Sequence, residues 1–161
     1  MYKRQLVGNS GEDYSSTTDQ SSILFDITPP DNFQLESAYA VGGNEIFGYW
    51  NSSSSSIVLE TPISITDESL VGGSIQPLIS IGGGEFENFG SPIEIVEVPE
   101  TGLVFLEIAG NIFESMSNYA DNINAIFTTK IIDKAGNETQ GISDGTIIHV
   151  CLLYTSPSPR D

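Results

Sequence analysis

Apolar and polar residues alternate in short runs along most of the chain. The clearest runs are residues 33–41, 57–63, 104–108 and 123–131, where every second position is apolar or small. Successive side chains of a strand point to opposite sides, so this period of two is typical of strands that bury one face. The pattern therefore predicts an all-β fold.

Further strands are predicted at 23–25, 74–81, 91–98 and 145–150, which glycine and proline residues separate from their neighbours. Proline has no amide hydrogen to give to a ladder, and glycine suits turns. Within 111–122 the apolar residues recur at helical spacing, which predicts one or two helical turns. About seven strands separated by turns favour an antiparallel β-sandwich.

Two positions predict local geometry. Pro62 lies inside an apolar run and indicates an edge strand or a bend, because it cannot donate to a ladder. In the segment "DKAGN", Gly136 suits the positive φ of a tight hairpin, and Asp133 is expected to accept hydrogen bonds from the turn amides.

The two ends of the chain differ in composition from the rest. The stretch "CLLYTSPSPRD", residues 151–161, resembles one reading frame of the adapter used in transposase-based sequencing libraries, and "MYKRQ", residues 1–5, resembles its complementary strand. We interpret both ends as adapter-derived and leave them out of the fold. They are expected to make no packed contacts. The natural segment is expected to run from about Leu6 to Val150 and to begin and stop inside a gene.

Acidic residues far outnumber basic ones. The chain has 22 Asp and Glu against five Lys and Arg, a formal charge of −17; without its two ends, 21 acidic and two basic residues give −19. Two lysines cannot neutralise a row of phosphates, which argues against nucleic acid and anionic membranes as partners. No apolar run approaches the roughly 18 residues of a membrane helix. Such a charge suits a salty or calcium-rich medium, where cations relieve the self-repulsion.

Residue types used in catalysis are scarce. His149 is the single histidine, and Cys151 is the single cysteine. The sequence therefore argues against a Ser-His-Asp triad, a zinc motif with paired histidines and a thiolate centre. The glycine patterns of nucleophile elbows and phosphate loops are also missing. Glycosidases need only two carboxylates, but nothing in the sequence marks such a pair. We expect a protein that is not an enzyme.

Four segments resemble, in order, successive parts of a bacterial immunoglobulin-like repeat of very long cell-surface and secreted proteins. They are "FDITPPDNF", "GYWNSSSSSIVLETPI", "DESLVGGSIQPLISIGGGEFENFGSP" and "FTTKIIDKAGNETQG". The resemblance implies an immunoglobulin-like β-sandwich over residues 27–150. In that family an Asp-x-Thr-Pro-Pro linker joins the copies, so residues 6–26 are expected to be the terminal strand region of a preceding repeat.

Two further details bear on this resemblance. Gly8-Asn9 and Asp19 near the start match Gly136-Asn137 and Asp144 near the end, which agrees with tandem copies. The family has Asp or Glu after the position of Val150, where this chain has the first residue of the adapter-like tail.

The resemblance implies a mechanical role. Repeats of this kind are spacers or stalks of adhesin-like proteins, which places this chain outside the cell or on the surface of a bacterium. Neighbouring repeats of the same chain are the expected partners, with a surface glycan or a protein as a further ligand. A Pro-Pro linker has few accessible backbone states and keeps such an array extended.

Some copies in the family bind calcium at domain junctions. The candidate ligands here are Asp26, Asp31, Asp133 and Asn137, because calcium takes carboxylate and carbonyl oxygens. The competing interpretation is that Asp26 and Asp31 accept hydrogen bonds within the linker while Asp133 caps its turn.

The alternative functional hypothesis is a carbohydrate-binding sandwich. Tyr49 and Trp50, with Asn51 beside them, are the residue types that stack on and hydrogen-bond to a sugar ring. An exposed Trp50 in one plane with Tyr49 favours this hypothesis. A buried Trp50 instead covers the edge of the core, and the serines that follow it form a loop.

Overall fold

The computed structural model describes residues 26–152, and most of its strands follow the alternation of apolar and polar positions. Two helical segments are present within this range, a 3-10 turn at Glu68–Leu70 and a helix α1 at Gly110–Glu114. The strands within it are β1 (Ser37–Val41), β2 (Tyr49–Asn51), β3 (Ser56–Pro62), β4 (Ser74–Ile81), β5 (Glu87–Asn88), β6 (Ile93–Glu94), β7 (Leu103–Ala109), β8 (Asn124–Ile132), β9 (Glu138–Gln140) and β10 (Ile147–Cys151).

These strands form two sheets around one core. The smaller sheet has the order β1-β3-β7, and the larger has the order β2-β10-β8-β4-β5, with β6 also on β4 and β9 also on β8. The named pairs are antiparallel except β2 with β10, which is parallel. Within residues 26–152 the chain changes sheet five times, and these changes include the passages from the smaller sheet to the larger one between β3 and β4 and between β7 and β8. This exchange is the one found in immunoglobulin-like sandwiches, and the predicted fold class is confirmed.

The core lies between the sheets and is built by the faces that the alternation predicts. Five aromatic side chains meet near α1, where Phe113 contacts the rings of Trp50, Phe89, Tyr119 and Phe127. The predicted helical turn therefore supplies the centre of this cluster. Three of the predicted faces are buried over most of their length, with Val104 and Ile123 half-buried at the ends of two of them. The buried members are Ile57, Leu59 and Ile63 around β3, Leu106 and Ile108 on β7, and Ala125, Phe127 and Ile131 on β8.

The first strand differs from its prediction. The alternation over 33–41 predicts that every second residue from Phe33 to Val41 lies on one face, but β1 begins at Ser37 and buries Ala38. Leu35 donates its amide to the carbonyl of Ile142, which lies between β9 and β10 of the larger sheet, whereas Glu36 donates its amide to the carbonyl of Glu60 in the smaller one. Because the chain crosses from one sheet to the other here, its inward side shifts by one residue.

Pro62 does not lie in an edge strand. β3 is the central strand of the smaller sheet, and Pro62 is its last residue. The pairing with β1 already stops at Glu60, which lies opposite Ser37. The missing amide hydrogen of Pro62 therefore faces no partner strand in the described part of the chain.

Very short strands account for the difference between about seven predicted strands and the ten described. The segments β2, β5 and β9 were not predicted, and the predicted strand 91–98 shortens to β6. Two or three residues are too few for a period of two to appear. Neither helical segment within residues 26–152 has the length and apolarity that crossing a bilayer takes.

The beginning of the adapter-like tail is part of the fold. Cys151 is the last residue of β10 and lies opposite Asn51, and Leu152 donates its amide to Asp121 and packs against the core. The expectation of no packed contacts is therefore wrong for Leu152, whereas the exposed Cys151 joins the sheet through its backbone. Backbone pairing explains this, because a ladder extends through any residue that offers its amide and carbonyl. The other predictions at the ends, for 1–5, 6–25 and 153–161, lie outside the described residues.

Candidate functional site

The segment that leads into the sandwich is bonded to the hairpin between β8 and β9. Asn137 donates from Nδ2 to the carbonyl oxygen of Asp26 at 3.2 Å, and Thr139 donates from Oγ1 to the carbonyl oxygen of Pro30 at 2.6 Å. The carboxylate of Asp26 accepts a hydrogen bond from the amide of Thr28 at 3.0 Å. The linker is therefore bonded to one hairpin at two points, on either side of Pro29.

Asp133 organises this hairpin. Its Oδ1 accepts from the amides of Ala135 and Asn137, both at 2.8 Å, and its Oδ2 accepts from Asn137 Nδ2 at 2.9 Å. Burial acts to raise the pKa of Asp133, but the hydrogen bonds from Asn137, Ala135 and Gly136 outweigh it and hold the pKa below its usual value. Gly136 has a φ of +93°. Both predictions for the "DKAGN" turn are confirmed.

The structure brings three of the four predicted calcium ligands together. Asp26, Asp133 and Asn137 meet as described, whereas Asp31 lines a half-open depression of about 270 Å³ next to Pro62 and Ile131. The Asn137 amide directs its NH₂ group, rather than its oxygen, at both of its partners. Calcium takes six to eight oxygens. In the described part of the chain no cluster of three or more acidic, histidine or cysteine side chains is spaced to hold a metal.

As arranged here, these groups bond to one another and do not make a calcium coordination shell. This is the hydrogen-bonded arrangement that the competing interpretation expects for Asp26 and Asp133. Calcium binding at the junction stays a hypothesis, which the response to different divalent cations tests.

The proposed aromatic platform does not form. Trp50 is completely buried, and its ring packs edge-on against Phe113 with the centroids 5.2 Å apart. Tyr49 is 44% exposed and faces away from the core, because neighbouring residues of a strand point to opposite sides. Asn51 is buried and holds a turn, since it donates to the carbonyl of Asn44 and accepts from the amide of Ser53. Of the two interpretations of this segment, the structure therefore agrees with the one in which Trp50 covers the edge of the core.

His149 is a strand residue, as expected from its sequence context. It lies on β10 between Tyr49 and Asn124, and its Nδ1 is 2.7 Å from Asn124 Oδ1. Its ring meets that of Tyr49 edge to face at 5.7 Å.

The described chain begins and ends at opposite ends of the sandwich. The segment that begins at Asp26 is tied to the hairpin that follows Ile132, the last residue of β8. At the other end of β8, the amide of Asn122 bonds to the carbonyl of Val150, and Leu152 bonds to Asp121. β8 has nine residues, so about 26 Å separates these two positions at roughly 3.3 Å per residue.

Compared with protein-family models, with curated proteins and with solved structures, the chain matches none. The interpretation of these sites therefore depends on their geometry.

Proposed function

We propose that this domain is a non-catalytic spacer, one unit of an extended array of similar domains in a bacterial cell-surface or secreted adhesin-like protein. The observation that supports the proposal is the position of the two chain ends. Since the described chain starts at one end of β8 and leaves at the other, similar domains before and after it lie in line with the strands. Each added domain then lengthens the array.

The pairing near the two ends suits a chain under tension. Residue Gln34 bridges Ile142 in parallel, and β2 pairs with β10 in parallel. A pull that separates Asp26 from Leu152 acts along these strands, whereas their hydrogen bonds run across them. The bonds of each pair are then loaded in shear and must break together, which raises the force that unfolding needs.

The bonds of the linker give the joint a preferred direction. Asn137 and Thr139 fix the carbonyls on both sides of Pro29, and each proline has a restricted φ. Ordering a linker costs entropy when domains align. A linker that is already bonded to the domain has little conformational freedom left to lose when the domains align.

The high negative charge fits an extended molecule outside the cell. Like charges on successive domains repel one another, so a folded-back array is less favourable than a straight one. The described residues contain two lysines, and one of them, Lys130, already pairs with Glu138 at 2.9 Å. The carbohydrate-binding alternative loses its platform with the burial of Trp50, and we propose no second function.

The experiment is small-angle X-ray scattering on a chain with two copies of residues 6–150 in tandem. We expect the largest dimension to exceed that of one copy by about the length of one domain. Replacing Pro29 and Pro30 by glycine in the second copy is expected to broaden the distribution of distances. A two-copy particle that is no longer than one copy would overturn the proposal.

A further inference from the structure

Strand β7 forms an open edge of the smaller sheet. It pairs with β3 on one side, and no described strand lies on its other side. Two hydrogen bonds just beyond the ends of β7 show which of its backbone groups face β3. Gly110 donates its amide to the carbonyl of Ser55, and Ile63 donates its amide to the carbonyl of Gly102. Bonded positions alternate in an antiparallel pair, so residues 104, 106 and 108 bond to β3. The amides and carbonyls of Phe105 and Glu107 therefore point away from β3, in the plane of the sheet and toward its open edge.

Three protections that are common on edge strands, namely proline, lysine and a bulge, are missing from β7. Its seven residues, 103–109, include no proline and no lysine, and their register with β3 runs without a bulge. Phe105 is 60% exposed on the outer face. Within residues 26–152 the outward backbone groups of this regular edge have no partner, and an aromatic ring is exposed beside them, so the edge is a template for one more strand.

Charge decides what kind of strand fits. The outer face of the smaller sheet presents Glu60 and Glu107, and its three strands contain no basic residue. Both lysines of the described chain belong to β8 or to the hairpin that follows it. A second copy of this chain brings a further large negative charge to the same edge, whereas a basic segment is attracted to it.

We propose that the edge of β7 binds an extended basic segment of a partner protein as an added strand. Antiparallel addition places one partner residue opposite Glu107 and the residue two positions later opposite Phe105, on the same face. The partner segment therefore has the pattern basic-x-apolar. This site exists whether or not the domain serves as a spacer.

The test is titration of the isotope-labelled full chain with a synthetic ten-residue peptide, in which lysine and valine alternate at every second position with threonine between them. The expected result is a shift of the amide signals of Phe105 and Glu107 and roughly tenfold slower hydrogen exchange at both. Raising the salt concentration from about 0.05 to about 0.5 M is expected to weaken binding roughly tenfold. A peptide N-methylated at the amides that face β7 is expected not to bind.

A charge-reversal variant distinguishes binding of the peptide at β7 from non-specific attraction of a basic peptide to an acidic protein. The variant Glu107→Lys is expected to prefer the same peptide with glutamate in place of lysine, whereas the control Glu87→Lys, on the edge strand β5, keeps the preference of the unchanged chain. Equal changes in both variants, or no shift at Phe105 and Glu107, would overturn the proposal. Protection of the same amides that rises with protein concentration and needs no peptide would assign the edge to a second copy instead.

Discussion

Trp50 and Gly110 depend on each other at the level of single residues. A Cβ atom at Gly110 would lie 2.5 Å from the Trp50 ring and 2.8 Å from the carbonyl oxygen of Ser55. Neither neighbour is free to move, because the ring is fully buried and the carbonyl accepts the Gly110 amide. The glycine is required here for space. Its position lets α1 approach the two sheets and put Phe113 between them.

The variant Gly110→Ala tests this contact. We expect it to lower the free energy of unfolding by about 1–3 kcal/mol, which is typical of overpacking in a core. The matched control is Gly84→Ala, where the nearest atom to an added Cβ is 3.5 Å away; its expected effect is within about 0.5 kcal/mol. Urea denaturation of both variants gives the comparison. Equal stabilities would mean that the ring has room to shift.

Asp133 couples the stability of the hairpin to pH. Its folded pKa is below the unfolded value, so the unfolded state binds the proton more tightly and stability rises with pH. The contribution is complete above the unfolded pKa and is lost as the pH falls through the folded one. We expect Asp133→Asn to cost about 1–3 kcal/mol at pH 7, typical of hydrogen bonds to a charged group.

Denaturation of Asp133→Asn and the unchanged chain at neutral and acidic pH provides the measurement. The difference between them should shrink as the pH falls below the usual aspartate value of about 3.9. Glu87→Gln, an exposed carboxylate on β5, serves as the control and should show little difference at either pH. A constant gap for Asp133→Asn across the range would contradict the coupling.

At the level of elements, alternation identifies the long strands and misses the short ones. β3, β7 and β8 each bury one face through several residues, so their pattern is visible in the sequence. The alternation does not decide between a buried and an exposed Trp50, because its burial depends on β2 pairing with β10 a hundred residues later. The linker bond made by Thr139 was missed for a similar reason. A threonine two residues after the "DKAGN" turn is the only local signal, and its partner Pro30 is 109 residues away.

The contribution of the two hydrogen bonds to the linker can be measured by removing their side-chain donors. The double variant Asn137→Ala with Thr139→Val removes both side-chain donors to the linker and also the bond from Asn137 to Asp133. We expect a loss of about 3 kcal/mol at roughly 1 kcal/mol per bond. Hydrogen exchange of the Thr28 amide should become faster, because the segment is no longer held in place. Thr66→Val, at an exposed threonine, is the control. Unchanged exchange at Thr28 would show that the prolines alone order the linker.

At the scale of the whole molecule, position and charge act together. The long axis of the sandwich separates the two described chain ends, and the negative charge is spread over both sheets with 18 acidic residues against two lysines within residues 26–152. Repulsion of this kind lowers the stability of the folded chain at low salt, and any cation that screens it has the opposite effect. A specific calcium site would add a second effect that depends on the identity of the ion.

Calcium and magnesium therefore separate the two interpretations of the junction. In the structure the side-chain amide of Asn137 already donates hydrogen bonds to the Asp133 carboxylate and to the Asp26 carbonyl. We therefore expect millimolar calcium and millimolar magnesium to raise Tm by the same few degrees, through screening of the negative charge. Calorimetry at low ionic strength measures the shifts. A rise with calcium that exceeds the rise with magnesium, and that disappears in Asp133→Asn, would show that the junction rearranges to bind calcium. In that case Asn137 would have to turn its oxygen toward the ion, and the linker bond from its NH₂ group would be replaced by coordination.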